Sequence, residues 1–363
     1  APATWNDPGD RWRIDESDRS FPEIADAPAH DSTFSLANGR FGCKGLRPGA
    51  PAGRLGTFVG GVLDDLRPYA AEAGDAQHAF LVPVAPHLFA VRFPQVGICH
   101  ERFARSLDLR HGLLFACGEI ATPAGRWRIE ACRAVSRAEP HLAWERLALT
   151  PLDGAGPLDL ELAWDDTLVN RCGRTFFDPW QERRRRWDDG ACCWLGLTRG
   201  SRHAVAIAQR CRVAGAATLA AERMHHAVRA QGACTIDRCV AVADSLSCAD
   251  PATMAANVCA CADAAGIDAA AAAHLAAMDA FWRDADVVID GPLLDQAATR
   301  FCIFQAGTHA PDRDDWSYGA KLLAGPHYHG VVFWDVDAFI LPWLTRTCPE
   351  QARRHLAFRH RGL

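Results

Sequence analysis

"YHGVVFWDVDAFILPWL", residues 328–344, gathers Phe333, Trp334, Phe339 and Trp343 around two carboxylates, Asp335 and Asp337. From Val336 onward the stretch is a helix candidate with apolar residues on every side. Such a helix needs neighbours on every side. The two or three helices encoded around it cannot supply them. It therefore reads either as the opening of a larger helical domain or as a helix covered by the rest of the chain. Asp335 stands where an N-cap would, a role worth about 1 kcal/mol, and Asp337 reads as a first-turn acid favoured by the helix dipole. Pro342 is expected to kink or stop the helix. Phe339 and Trp343 read as core. His327 and His329 alternate on an extended segment and could share a face. With no third or fourth ligand nearby they read as a pocket-rim loop, not a metal site.

Upstream, residues 250–292 are Ala-rich, and Leu275, Met278, Phe281 and Trp282 recur at helical spacing behind Asp268, an N-cap candidate. Gly291-Pro292 breaks the chain. The next helix then places Leu294, Ala298, Phe301 and Gln305 along one face and ends at Gly307. From about residue 30 to 245 the period changes from 3.6 to 2. Segments 87–93, 126–135, 141–150, 158–164, 203–213 and 226–231 alternate apolar with polar residues, as half-buried strands do. Asn38-Gly39 between apolar runs is a strong hairpin signal. This predicts a large antiparallel β-sandwich over residues 1–250, a helical linker over 251–292, and a helical domain beginning at 293.

Composition narrows the function classes. At 363 residues, 49% hydrophobic and 23% charged, the chain is of soluble globular type and long enough for two domains. Net charge is −5, and its one basic run, Arg183–Arg186, is followed by Asp188 and Asp189. That run reads as a solvated loop, which excludes nucleic acid as a partner. The acid pairs at 164–166 and 187–189 read as exposed turns. Twelve Trp and seventeen Phe stand against three Tyr. Trp-rich clefts suit sugars, whose C–H faces stack on indole rings. Fifteen cysteines, an odd number at irregular spacing, read as reduced thiols of a cytoplasmic protein. The first residues hold no apolar run fit for a signal peptide, and no run of eighteen apolar residues predicts a membrane span. Gly39, Gly42 and Gly45 do not have the spacing of a phosphate-cradling loop.

The motif 327–344 with the following "CPEQARRHLAFRHRGL" resembles the start of the catalytic domain of glycoside hydrolase family 65, which holds maltose, trehalose and kojibiose phosphorylases and related α-glucoside hydrolases. The segments 11–45, 55–65 and 274–291 resemble that family's N-terminal segments and linker helix, so the likeness spans essentially the whole chain. Pro326, Val331 and Asp337 depart from the family pattern, which usually has an acid, a histidine and a glutamate there.

The resemblance implies a β-sandwich, a helical linker and an (α/α)6 barrel, here truncated after its first helices. It implies an enzyme of α-linked glucosides that works without metal or organic cofactor. A general acid protonates the glycosidic oxygen, and inorganic phosphate as co-substrate, or water, attacks the anomeric carbon with inversion. No residue of this chain matches that acid, which the resemblance places beyond Leu363. The isolated chain is therefore expected to be inactive. The resemblance places Trp334 and Asp335 in the glucose subsite, with Tyr328 on the pocket wall and Asp337 as a further candidate. It also implies a possible homodimer. Two alternatives stay open: a non-catalytic carbohydrate-binding β-sandwich, with exposed Trp in a groove of residues 30–245, and an enzyme with a related helical barrel.

Overall fold

The structure is a computed structural model describing residues 12–16, 31–49, 56–65, 67, 80–95, 99–165, 167–172, 175–188, 190–222 and 225–362. The leaderless N-terminal reading, part of the segment 11–45, Asp166, Asp189 and Leu363 lie outside the described residues. Six short strands come first: β1 (Arg13–Asp15), β2 (Leu36–Ala37), β3 (Phe41–Cys43), β4 (Thr57–Val59), β5 (Asp64–Asp65) and β6 (Phe80–Leu81). Then follow β7 (Cys99–Asp108), β8 (Leu113–Thr122), β9 (Gly125–Val135), β10 (Leu142–Leu152) and β11 (Leu158–Leu162). A short pair, β12 (Asn170–Cys172) and β13 (Thr175–Phe177), precedes β14 (Trp180–Asp188), β15 (Ala191–Thr198), β16 (Ala204–Glu222) and β17 (His225–Asp244).

The long strands and the short β1 form one antiparallel sheet in the order β1, β7, β8, β9, β10, β17, β16, β15, β14, with β11 added against β17. β17 is long enough to hold two neighbours on one edge. Its second half pairs with β10, and Ala230 back to His226 pair with β11. Along β9 the pleat buries Trp127, Ile129 and Ala131 and turns Arg126 and Arg128 outward. Those residues share a hydrophobic cluster with Leu147, Leu149, Leu158, Leu160 and Val228. Trp127, Trp144, Trp164, Trp180 and Trp194 are all buried, and Trp187 is half-buried. These six tryptophans of the β half therefore build the core.

Two expected elements differ. Segment 87–93 is a loop, buried over 87–91, with one bridge, Arg92 to Glu161. His87 holds it there: its Nδ1 accepts from the Phe89 N–H (3.1 Å) and its Nε2 donates to the Lys44 carbonyl (2.7 Å). Its backbone polar groups thus need no ladder. The Arg183–Arg186 run is not a loop but part of β14, the edge of the sheet. Arg183 pairs with Asp178 while Arg184 points outward to Glu182, and charge on an edge strand opposes edge-to-edge association.

Helix α1 (Pro251–Ala265) starts at Asp250, whose carboxylate accepts from the Thr253 N–H (3.1 Å). Its small face, Ala252, Ala255, Ala256 and Cys259, packs on Ala191, Ala206, Ala208, Ala241 and Ala243 of the sheet. The Ala-rich composition lets helix and sheet approach closely. α2 (Ile267–Ala285) leaves at 101°. Asp268 is not its N-cap; Gly266 is, at φ 85°, and Asp268 instead binds Arg146 (2.8 Å). In α3 (Leu293–Thr308) the buried face is Gln296, Arg300, Ile303 and Phe304, and Leu294 is 44% exposed. Two polar residues face inward because both are satisfied. Arg300 pairs with Asp286 (2.7 and 2.9 Å) and lies over Trp12, and Gln296 bonds Ile289 N–H and Val287 C=O. Among the described residues no single helix is long and apolar enough to cross a membrane.

Beyond α3 the chain crosses back onto the first hairpins. Gly39 turns β2 into β3 at φ 88°, and Asn38 accepts from the N–H groups of Arg40 and Phe41. A Cβ on Gly39 would come within 2.1 Å of the Ala310 carbonyl oxygen, and one on Gly60 within 2.4 Å of the Trp316 ring. Gly60→Ala is expected to lower stability by about 1–3 kcal/mol through overpacking. Denaturant unfolding of this variant beside the wild type checks it.

Burial pushes His226, His274 and His309 down to about 4 and His87 to about 3. In the unfolded chain each takes up its proton near pH 6.5, so the folding free energy they carry is complete above that value. It falls as pH drops from about 6.5 toward 4, by up to about 1.4 kcal/mol per pH unit per histidine. Thermal unfolding across pH 4–8 should show that slope, flat above pH 7.

Candidate functional site

A cleft of ≈ 540 Å³ is walled by Tyr318–Ala320 and Leu322 on one side, Tyr328 and Phe333 on another, and Asp335, Val336, Phe339 and Ile340 on a helix. Its size is that of a small-ligand pocket. The helix begins with Ala338 N–H donating to the Trp334 carbonyl (3.0 Å). It then widens into a π-turn over Val336–Ile340, where Leu341 N–H reaches back to Val336. The cause is Pro342, which has no N–H and whose ring crowds the carbonyl of Ala338. The wider turn absorbs the proline, so the helix neither stops nor breaks but continues as α4 (Leu341–Thr347).

Asp335 and Phe339 are four residues apart and share the helix face toward the cleft. The Asp335 carboxylate makes no cap hydrogen bond, lies exposed, and has no hydrogen-bond or ion-pair partner among the described residues. Phe339, expected in the core, is 69% exposed on the cleft wall. Trp334 is 65% exposed beside Phe339 (centroids 5.8 Å) and is not a lining residue of the cleft. Tyr328 is in the wall, its ring edge-on to Phe333 at 5.7 Å. Trp343 packs inward as expected.

The Tyr328 wall is strained. Tyr328 and His329 sit at φ 59° and 55°, a conformation costing roughly 1–3 kcal/mol each. His329 is buried while His327 is exposed, so the two do not share a face. Among the described residues no three His, Cys, Asp or Glu side chains form a metal-ligand group.

Asp337 is brought elsewhere. Its carboxylate accepts from Arg359 (2.5 and 3.2 Å) and from His355 Nε2 (2.8 Å), both on α5 (Pro349–Arg361). The hydrogen bonds from Arg359 and then His355 hold its carboxyl below the usual carboxylate range. It clamps helix to helix and does not face the cleft. His355 Nδ1 in turn meets Ser317 Oγ at 2.6 Å. Ser317, His355 and Asp337 have the composition of a hydrolytic triad. Ser317 is buried, however, and lines only a ≈ 70 Å³ crevice, too small for a substrate.

Of the residues singled out in the sequence, Asp335 and Tyr328 line the cleft; Phe339, Phe333, Tyr318, Gly319, Ala320 and Leu322 line it without having been named for it. The i, i+4 spacing from Asp335 was the signal that could have found Phe339. Leu363, beyond which the general acid is expected, lies outside the described residues.

Residues 23–281 match the glycosyl hydrolase family 65 N-terminal domain, and residues 300–363 match that family's central catalytic domain. The chain belongs to glycosyl hydrolase family 65. It is 24% identical over 361 residues to kojibiose phosphorylase of Caldanaerobacter subterraneus subsp. tengcongensis, covering 92% of this chain and 46% of that one. To kojibiose phosphorylase of Thermoanaerobacter brockii it is also 24% identical, covering 98% of this chain and 48% of that one. The solved structure "Putative kojibiose phosphorylase from human microbiome" shares the fold, at TM-score 0.77 and 18% identity over 97% of this chain and 49% of that one. The chain spans about half the length of the curated relatives it matches.

Because the carboxyl of Asp337 is depressed in the folded state, the stability it contributes is present above about pH 4 and lost as pH falls through its folded value. Asp337→Asn should lower the melting temperature at pH 7 and flatten the acid limb, read by calorimetry from pH 2 to 7.

Proposed function

We propose that this chain is the N-terminal portion of a family 65 enzyme that cleaves α-linked glucosides by inverting phosphorolysis or hydrolysis. Its domains are a β domain over 1–250, a helical linker over 251–292 and the opening of the catalytic barrel over 293–363. The observation that carries the reading is Asp335, an unpaired carboxylate between the aromatic walls of a ≈ 540 Å³ cleft. Two vicinal sugar hydroxyls donate to its two oxygens. Tyr328, Phe333 and Phe339 cover the ring's apolar faces, and Trp334 extends the aromatic surface at the cleft's edge. Asp337 serves the wall and not the sugar.

Inorganic phosphate or water attacks the anomeric carbon opposite the leaving oxygen, which a general acid beyond Leu363 protonates. No organic cofactor or metal is required. The chain alone then binds without turning over, in a cytoplasmic, homodimeric enzyme. The reading as a β-sandwich sugar-binding module loses its support with the buried tryptophans of the β half.

A hydrogen bond to a charged acceptor is worth about 1.5–3 kcal/mol, so Asp335→Ala in the full-length protein should cut kcat/KM for its α-glucoside roughly 10–100-fold. Initial rates with kojibiose, trehalose and maltose, with and without phosphate, check this. Unchanged rates in the variant would remove Asp335 from the site.

A further inference from the structure

We infer that His355 is a positioning residue that locks two walls of the cleft to each other, an inference resting on the reading of that cleft as the sugar site. Its two ring nitrogens face different walls. Nδ1 meets Ser317 Oγ at 2.6 Å, and Ser317 directly precedes the wall residues Tyr318, Gly319 and Ala320. Nε2 meets Asp337 Oδ1 at 2.8 Å, and Asp337 lies between the wall residues Asp335 and Val336 and the next turn, Phe339 and Ile340. The ring itself is completely buried and touches no part of the cleft.

The polarity of the chain is settled by its members. An ionised Asp337 only accepts, so Nε2 carries a proton and donates. Nδ1 faces the Ser317 hydroxyl. One rigid ring therefore spans a loop and a helix that share no hydrogen-bond ladder. From the same helix Arg359 adds a bond to the Phe333 carbonyl (2.9 Å), so α5 reaches a third wall residue. The loop wall is also tied by Ala320 N–H to the Val331 carbonyl (3.1 Å), by Leu322 N–H to the Gly319 carbonyl (2.8 Å) and by the Tyr318 hydroxyl to the Ala306 carbonyl (3.0 Å), but none of these bonds reaches the Asp335–Phe339 face. The lock sets the distance between Tyr318–Ala320 and the Asp335–Phe339 face, and hence the fit of a rigid pyranose between them.

The two nitrogens can be removed separately. An Asn side chain reaches about as far as Nδ1, and a Gln side chain about as far as Nε2. In the full-length protein, His355→Asn should keep slow amide exchange in 317–322 and lose it in 335–340, and His355→Gln should do the reverse. His355→Ala should lose both and raise KM for the α-glucoside at least tenfold while kcat stays within threefold. Wild-type exchange at both walls in His355→Ala would overturn the inference, as would a uniform loss of protection in all three variants. So would a fall in kcat at constant KM. An enzyme that turns over none of the α-glucosides, with or without phosphate, would overturn the proposed function and leave the exchange pattern to decide the lock.

Discussion

Everything at the cleft depends on how closely the chain after α3 can lie on the first hairpins. Segment 310–330 approaches to backbone contact at Gly39, at Gly42, where a Cβ would lie 2.6 Å from the Leu323 carbonyl oxygen, and at Gly60 under Trp316. Charge fixes the register of this contact. Arg40 on the hairpin pairs with Asp312 (2.6 Å), and Arg313 reaches both Asp244 at the end of β17 (3.2 Å) and the Gly60 carbonyl (3.2 Å). Asp244 is buried and Arg40 also lies 3.8 Å from it, so removing either arginine would leave a desolvated carboxylate short of a partner. The glycine hairpins of the β half and the aromatic motif of the helical half are therefore one structural unit, though some 270 residues separate them.

A second constraint holds the β half itself. Arg133 and Glu145 pair at 2.6 Å inside the sheet, and Arg238 lies 3.6 Å from the same glutamate while donating to Gln209. Such a network contributes little net stability against an apolar core, yet leaving any one charge unpaired costs several kcal/mol. Its use here is topological. Arg133 also donates to the Leu46 carbonyl and Arg238 to the Ala90 carbonyl (3.1 Å). Both loops are thereby pinned to the sheet without strand pairing. Helix α1 covers the other face through small side chains, and α2 adds Ile267 against Ala134 and Trp144.

The β half was legible because its strands obey a period of two with one face buried, as β9 and β11 show. The change of period near residue 250 likewise marked where β17 gives way to α1. What period could not show was where polar groups go inside. The 87–93 loop alternates like a strand but is held by His87. α3 turns Gln296 and Arg300 inward because partners wait there. Asp268 looks like a cap but faces a guanidinium. At the cleft, Asp335 and Tyr328 could be named from a local motif. Phe339 was assigned to the core because an aromatic at helical spacing usually is core. Which face of that helix is covered is decided by α5, through Asp337, His355 and Arg359, and that pairing has no local signature.

The chemistry available in this cleft follows from its inventory. Among its lining residues Asp335 is the one carboxylate, beside two tyrosines and apolar side chains. Cleavage of a glycosidic bond with inversion needs an acid on the leaving oxygen and a nucleophile on the opposite face, separated by the sugar ring. A single carboxylate on one wall cannot meet both needs and also hold the ring hydroxyls. On the proposed reading, these walls select and orient a hexose. Their geometry matters more than their reactivity, because a rigid ring held a fraction of an ångström off line loses most of the benefit of being held at all. Strain at Tyr328 and His329, a proline-widened helix turn and the half-exposed Asp337–Arg359 pair all go into the shape of these walls.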